Sequence, residues 1–227
     1  MVRPKQFGSN LQTSGTNAFQ SKITFDTAEV IRNKALQEFD EMVELLRKAG
    51  IKVQVFEDTD SPEKPDAVFP NNWISTHPDG TAVLYPMLAP NRREEFRQDI
   101  VDWLNPKEVV DYRENTNSFT FLEGTGSVIL DQEAKIMYVG ISPRTDVVLA
   151  KILAEKLGFT ICSFHPTDHH NTPIYHTNVI MFVMNGFIGI SLEAIKKHDE
   201  REELIRVIHA SGKEIIDARG HVVAPGF

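Results

Sequence analysis

The chain is short of cysteine, of long apolar runs and of clustered positive charge, and each shortage closes a class of function. Cys162 is its single cysteine, which excludes an intrachain disulfide and any multi-cysteine zinc or iron–sulfur site. No apolar run approaches the roughly 20 residues that a membrane-spanning helix needs, so no membrane role is expected. The N-terminal MVRPKQFGSN carries charge with no apolar core behind it, which argues against a secretory signal and for a cytoplasmic location. A formal net charge of −8, with the basic residues scattered, opposes binding to a polyanionic phosphate backbone. The expected partner is a small molecule, not nucleic acid.

What is present reads as one globular domain over 1–227. That length buries roughly 70% of the surface exposed by the unfolded chain, and 41% hydrophobic with 25% charged residues is an ordinary soluble balance. From Thr27 to Ala49 apolar and charged residues alternate at helical spacing. Ala28, Ile31, Leu36, Phe39, Val43 and Leu46 form the expected buried stripe, with Asp26 as start cap and Gly50 as stop. Ile51 to Phe56 reads as a short strand, and SPEKPD as a loop.

A pattern then recurs. AVFPNNWISTHPDGTAVLYPM reads as two strands joined at Pro78-Asp79-Gly80, NRREEFRQDIVDWL as a helix and EVVDY as a closing strand. SVILDQEAKIMYVGI, RTDVVLAKILAEKLG and FTICSF repeat that order of hairpin, helix and strand, the helix ending in a glycine stop. YHTNVIMFVMNGFIGI, with an Asn-Gly turn between apolar runs, HDEREELIRVIHASG and KEIID repeat it again. Asn72, Glu123 and His176 hold corresponding places before each first strand, at intervals of 51 and 53 residues. Such a period predicts a repeat architecture in which equivalent positions point toward one axis. The modules fall at about 1–60, 66–113, 119–165 and 173–217. The competing reading is an α+β domain whose units are similar in length by chance.

The recurring polar positions suggest chemistry. A carboxylate at Glu123 and an imidazole at His176 form a possible acid–base pair, because imidazole moves protons near neutral pH. Arg144 suits bidentate recognition of a substrate carboxylate. Each also has an ordinary role open to it: a turn residue, a structural histidine, a charge at the start of a helix.

FPNN at Phe69–Asn72, EGTG at Glu123–Gly126, ISPRT at Ile141–Thr145 and HTN at His176–Asn178 together resemble, in order and spacing from about Asp66 onward, the guanidino-group-modifying enzymes of the pentein fold. These include arginine deiminase, dimethylarginine hydrolase and the glycine amidinotransferases. MVRP at Met1–Pro4 and NAF at Asn17–Phe19 look nearest to the amidinotransferase-like branch that contains citrulline-hydrolysing proteins. The resemblance implies an α/β fold, a pentein propeller of repeated ββαβ modules about a pseudo-symmetry axis. It implies His176 as general acid and base and Glu123 as a catalytic carboxylate that holds a substrate nitrogen. Arg144, Asn72, Asn178 and Asp66 are implied as substrate-binding residues, with no cofactor and no metal. Asn72 and Asn178 stand where arginine deiminases use aspartate. An amide both donates and accepts hydrogen bonds, so a neutral ureido group fits better than a cation; citrulline is expected first and arginine second.

The family nucleophile is a cysteine in a last module, and ARGHVVAPGF offers none. Cys162, within an apolar strand, reads as a buried inert thiol. The expectation is a ring incomplete at the C-terminus and a chain inactive by itself, with an open sheet edge that a second copy can cover. Two alternatives remain open: a non-catalytic amino-acid-binding remnant, and a metal-dependent hydrolase built on His165, Asp168, His169, His170 and His176, whose spacing matches no H-E-x-x-H site.

Overall fold

The computed structural model describes residues 1–17, 27–218 and 222–223. These fall into two compact units, Met1–Leu84 with Ala89–Val110 and Tyr85–Leu88 with Asp111–Phe227. Most of NAF, the expected cap Asp26 and most of ARGHVVAPGF lie outside the described residues. No described helix is long and apolar enough to cross a membrane.

The first unit opens with β1 (Val2–Arg3), α1 (Ala28–Lys48) and β2 (Phe56–Glu57), β1 lying parallel to β2 with Val2 opposite Phe56. The Thr27 hydroxyl accepts the Val30 N–H at the start of α1, and Gly50 takes the left-handed conformation beyond its end at φ 82°. The buried stripe is narrower than its spacing predicts. Phe39 and Val43 are buried, Ile31, Leu36 and Leu46 are half-buried, and Ala28 is exposed. Of the expected strand Ile51–Phe56 only Phe56 is paired, because the partner strand supplies just Val2 and Arg3.

The same unit holds the sheet β3 (Ile74–Thr76), β4 (Thr81–Leu84), β5 (Glu108–Asp111), in that order. β3 and β4 are antiparallel across Pro78-Asp79-Gly80, where Gly80 has φ 93° and the Asp79 carboxylate accepts the Thr81 N–H. The stretch expected as one helix is broken into α2 (Pro90–Arg93) and α3 (Gln98–Leu104). Glu95 turns back to pair with the buried Arg92, and Arg97 is extended at φ −133°.

The second unit repeats the module twice. After the short α4 (Gly124–Ser127), β6 (Val128–Asp131) and β7 (Ile136–Gly140) form an antiparallel hairpin. α5 (Val147–Leu157) leads to β8 (Thr160–Phe164), parallel to β7. The Asp131 carboxylate closes the turn by accepting from the N–H groups of Glu133 and Ala134. Asp146 caps α5 by accepting from Leu149 N–H, and Gly158 ends it at φ 72°. Likewise β9 (Met181–Val183) pairs antiparallel with β10 (Phe187–Ile190), and α6 (His198–Ala210) leads to β11 (Glu214–Asp217), parallel to β10. A further strand, β12 (Val222–Val223), pairs antiparallel with β11.

Tyr138, Phe164, Met181, Ile188, Ile195, Leu204, Ile208 and Ile215 form one buried core in this unit. Burying each such side chain is worth about 1.5–3 kcal/mol. The α/β class and the repeated hairpin–helix–strand modules are therefore observed. One shared detail escaped the sequence pattern: Asn72, Glu123 and His176 each adjoin a short helical turn, at Pro70–Asn72, α4 and Thr177–Val179.

Candidate active site

Glu123 is fully buried, and its carboxylate faces donors. Oε1 accepts the Leu88 N–H at 3.0 Å, while Oε2 lies 2.7 Å from Nε2 of His176 and 3.4 Å from Nη1 of Arg144. His176 and Arg144 are themselves buried. An ionised carboxylate accepts only, so the His176 ring meets it with a protonated Nε2. The Arg144 guanidinium lies over the Tyr175 ring at 4.5 Å, and that ring is 4.7 Å from the imidazole, centre to centre. A buried charge survives only when paired and hydrogen-bonded, and this carboxylate has both kinds of support. The arrangement is a carboxylate that orients an imidazole, with a cation beside it, suited to moving protons.

Asn72 and Asp66 belong to the first unit and meet through Arg92. The Arg92 guanidinium is clamped by both oxygens of Glu95, at 2.8 and 2.9 Å. It donates to Asn72 Oδ1 at 3.0 Å and lies 3.6 Å from Asp66 Oδ2. Asn10 donates to the same Asp66 oxygen at 2.7 Å. Sequence reasoning missed Arg92, Glu95 and Asn10. The first two sit three apart in NRREEF, which reads as the wet face of a helix; the signal available was the Pro90 and charge-dense start, which shortens that helix. Asn178, by contrast, is exposed on the turn after His176. The structure thus brings Glu123, Arg144 and His176 together, joins Asn72 to Asp66 through Arg92, and leaves Asn178 outside both groups.

The metal reading loses its geometry. Among the described residues no three histidine, cysteine, aspartate or glutamate side chains converge to hold an ion. His165 turns to Glu200 at 2.8 Å, His169 and His170 stack at 3.8 Å, and Asp168 is occupied by the N–H groups of His170 and Thr172. His176 is committed to Glu123. Cys162 lies in β8 within the core, where burial first and Glu203 second push its thiol up to about 11. Such a thiol is almost wholly protonated at neutral pH, the state in which a thiol is a poor nucleophile.

The family model for eukaryotic N,N-dimethylarginine dimethylhydrolase matches residues 3–222. The chain belongs to that family. The resemblance to pentein guanidino-modifying enzymes, drawn from four short motifs, therefore holds. Among solved structures, the chain is similar to the N-terminal domain of ArgZ, an arginine dihydrolase from the ornithine–ammonia cycle in cyanobacteria, as a cysteine-to-serine mutant bound to substrate. The TM-score is 0.72 at 16% identity, over 96% of this chain and 75% of that one. AgrE in complex with ornithine and NAD+ gives 0.70 at 20% identity, over 96% of this chain and 29% of that one. A dimethylarginine dimethylaminohydrolase adduct gives 0.56 at 15% identity, over 75% and 65%. The chain thus spans three quarters of the ArgZ N-terminal domain and less than a third of AgrE. At these identities the likeness is one of fold. A comparison with curated proteins gives no match.

Proposed function

We propose that the chain carries the acid–base and substrate-recognising groups of a hydrolase that cleaves a C–N bond of a ureido or guanidino amino acid, citrulline first and arginine second. The observation that carries the reading is the buried contact between Glu123 and His176, in a member of a guanidino-hydrolase family. In this chemistry a thiolate adds to the central carbon. His176, protonated on both nitrogens at that stage, gives the proton on the nitrogen turned away from Glu123 to the departing nitrogen, so the C–N bond breaks and ammonia leaves. The same nitrogen then takes a proton from the water that attacks the thiol ester-like intermediate, breaking its C–S bond and freeing the thiolate. Glu123 holds the imidazole and balances its charge when both nitrogens are protonated. Arg144, Asn72, Asp66 and Asn178 are the residues that the family resemblance assigns to recognition of the amino acid.

Asn72 supports the preference for citrulline. An amide both donates and accepts, so it suits a neutral ureido group with its C=O better than a guanidinium, which only donates. The buried, protonated Cys162 supplies no thiolate, and it is the single cysteine of the 227 residues. We therefore propose that these residues by themselves bind the amino acid without turning it over.

The test is ammonia release from citrulline and from arginine, on this chain and on one lengthened by a further ββαβ module that carries a cysteine. Release only by the longer chain, faster with citrulline, is the expected result. Release by the present chain refutes the argument about the nucleophile, and release by neither refutes the hydrolase.

A further inference from the structure

We infer that Ser127 is a positioning residue for the Glu123–His176 pair, its buried hydroxyl and its carbonyl together fixing the register of the three stretches of chain whose side chains meet there. Its importance for a reaction rests on the function proposed above; its geometric role does not.

Ser127 is the last residue of α4 and is fully buried. Its Oγ accepts the Glu123 N–H at 2.8 Å and the Thr145 hydroxyl at 2.8 Å, and donates to the Arg144 carbonyl at 3.0 Å. One donor and two acceptors are the whole capacity of a hydroxyl. The Ser127 carbonyl in turn accepts from the Thr177 hydroxyl, which itself accepts the Gly140 N–H at 2.8 Å. The backbones of Glu123 and Arg144, and the neighbour of His176, are all tied to this one residue.

A serine that closes its own turn is common, and the bond to Glu123, four residues back, is of that local kind. The bonds to Arg144, Thr145 and Thr177 are not, for they reach 17, 18 and 50 residues along the chain. Removing the hydroxyl withdraws a partner from the Glu123 N–H, the Arg144 carbonyl and the Thr145 hydroxyl, all in a region closed to water. The aim of the Glu123 carboxylate follows its backbone, so a loosened backbone lengthens the 2.7 Å contact with His176.

The experiment is proton NMR of the full chain, following the imidazole N–H held against Glu123, a downfield and slowly exchanging resonance identified by its loss in His176→Ala. Ser127→Ala is expected to move this resonance upfield and to speed its exchange with water at least tenfold. Thr145→Val, nearly isosteric and short of only one of the hydroxyl's bonds, should give an intermediate acceleration, and carries the test if Ser127→Ala does not fold. Leu153→Ala opens a cavity at a fully buried position of α5 without touching the network, and should leave the resonance unchanged. A wild-type resonance and exchange rate in Thr145→Val, or an equal disturbance in Leu153→Ala, overturns the inference. Failure of the wild-type chain to bind citrulline would count against the proposed function alone, since the N–H is read without ligand.

Discussion

Glu123→Gln is the sharpest perturbation of the central pair, because it keeps the shape of the side chain and removes its charge. The charge faces a buried guanidinium at 3.4 Å and an imidazole at 2.7 Å. At an effective dielectric of about 20, unit charges at the Arg144 distance attract by roughly 5 kcal/mol, before desolvation is counted. Breaking a buried pair and leaving one member behind typically costs about 3–5 kcal/mol. Arg144 keeps its place over Tyr175 in both proteins, so that contact cancels and the expected loss is roughly 3–5 kcal/mol. For a chain of this size that lowers Tm by about 6–20 °C. The assay is thermal and urea unfolding at pH 7, repeated at low and high salt. A buried pair is screened little, so the gap between variant and wild type should persist at both. The exposed pair between Glu203 and Arg206, 2.6 Å apart, supplies the contrast: Glu203→Gln should be indistinguishable from wild type. A Tm for Glu123→Gln within about 2 °C of wild type would refute the assignment of a charged, buried carboxylate.

Further outcomes follow from other contacts. At Gly140 a Cβ would stand 3.0 Å from Pro166 Cγ and 3.1 Å from Thr177 Oγ1, so Gly140→Ala should cost about 1–3 kcal/mol in urea unfolding. Lys213 is buried against Asp131 at 3.2 Å, and Lys213→Met should lose about 3 kcal/mol because the buried aspartate is left without its cation. Cys162 should resist alkylation in the native state at pH 8, by at least tenfold relative to the protein in urea. Its folded value of about 11 lies above the roughly 8.5 of an unfolded thiol. The folded chain thus keeps a proton that the unfolded chain gives up, and the associated stability is present below about pH 8.5 and lost as pH rises toward 11. Tyr138, raised chiefly by burial, acts in the same direction, so the urea midpoint should fall between pH 7 and pH 10.

The parts of the fold legible in the sequence were those governed by local chemistry. The β6–β7 hairpin announces itself by two apolar runs around Asp131, whose carboxylate closes the turn, and α5 by its glycine stop at Gly158. Where the structure departs from expectation, a distant partner decides. The strand at Phe56 is as short as its mate at Val2–Arg3, and the helix after Pro90 breaks because Arg92 turns inward to Asn72 and Glu95. Glu123 and His176 were legible as candidates through their repeating places before strands, and Arg144 as a charge at the start of a helix. Their mutual contact was legible only as a consequence of the repeat. Ser127 was not legible at all, since a serine after Gly-Thr-Gly looks like any turn residue until Arg144 and Thr177 are seen against it.

The most direct test of the central claim is calorimetric titration of L-citrulline and L-arginine into the wild-type chain and into His176→Ala, with Cys162→Ser alongside. Tighter binding of citrulline than of arginine by wild type and by Cys162→Ser, and its loss in His176→Ala, is the predicted result. Tighter binding of arginine, or citrulline binding that survives in His176→Ala, would contradict the account.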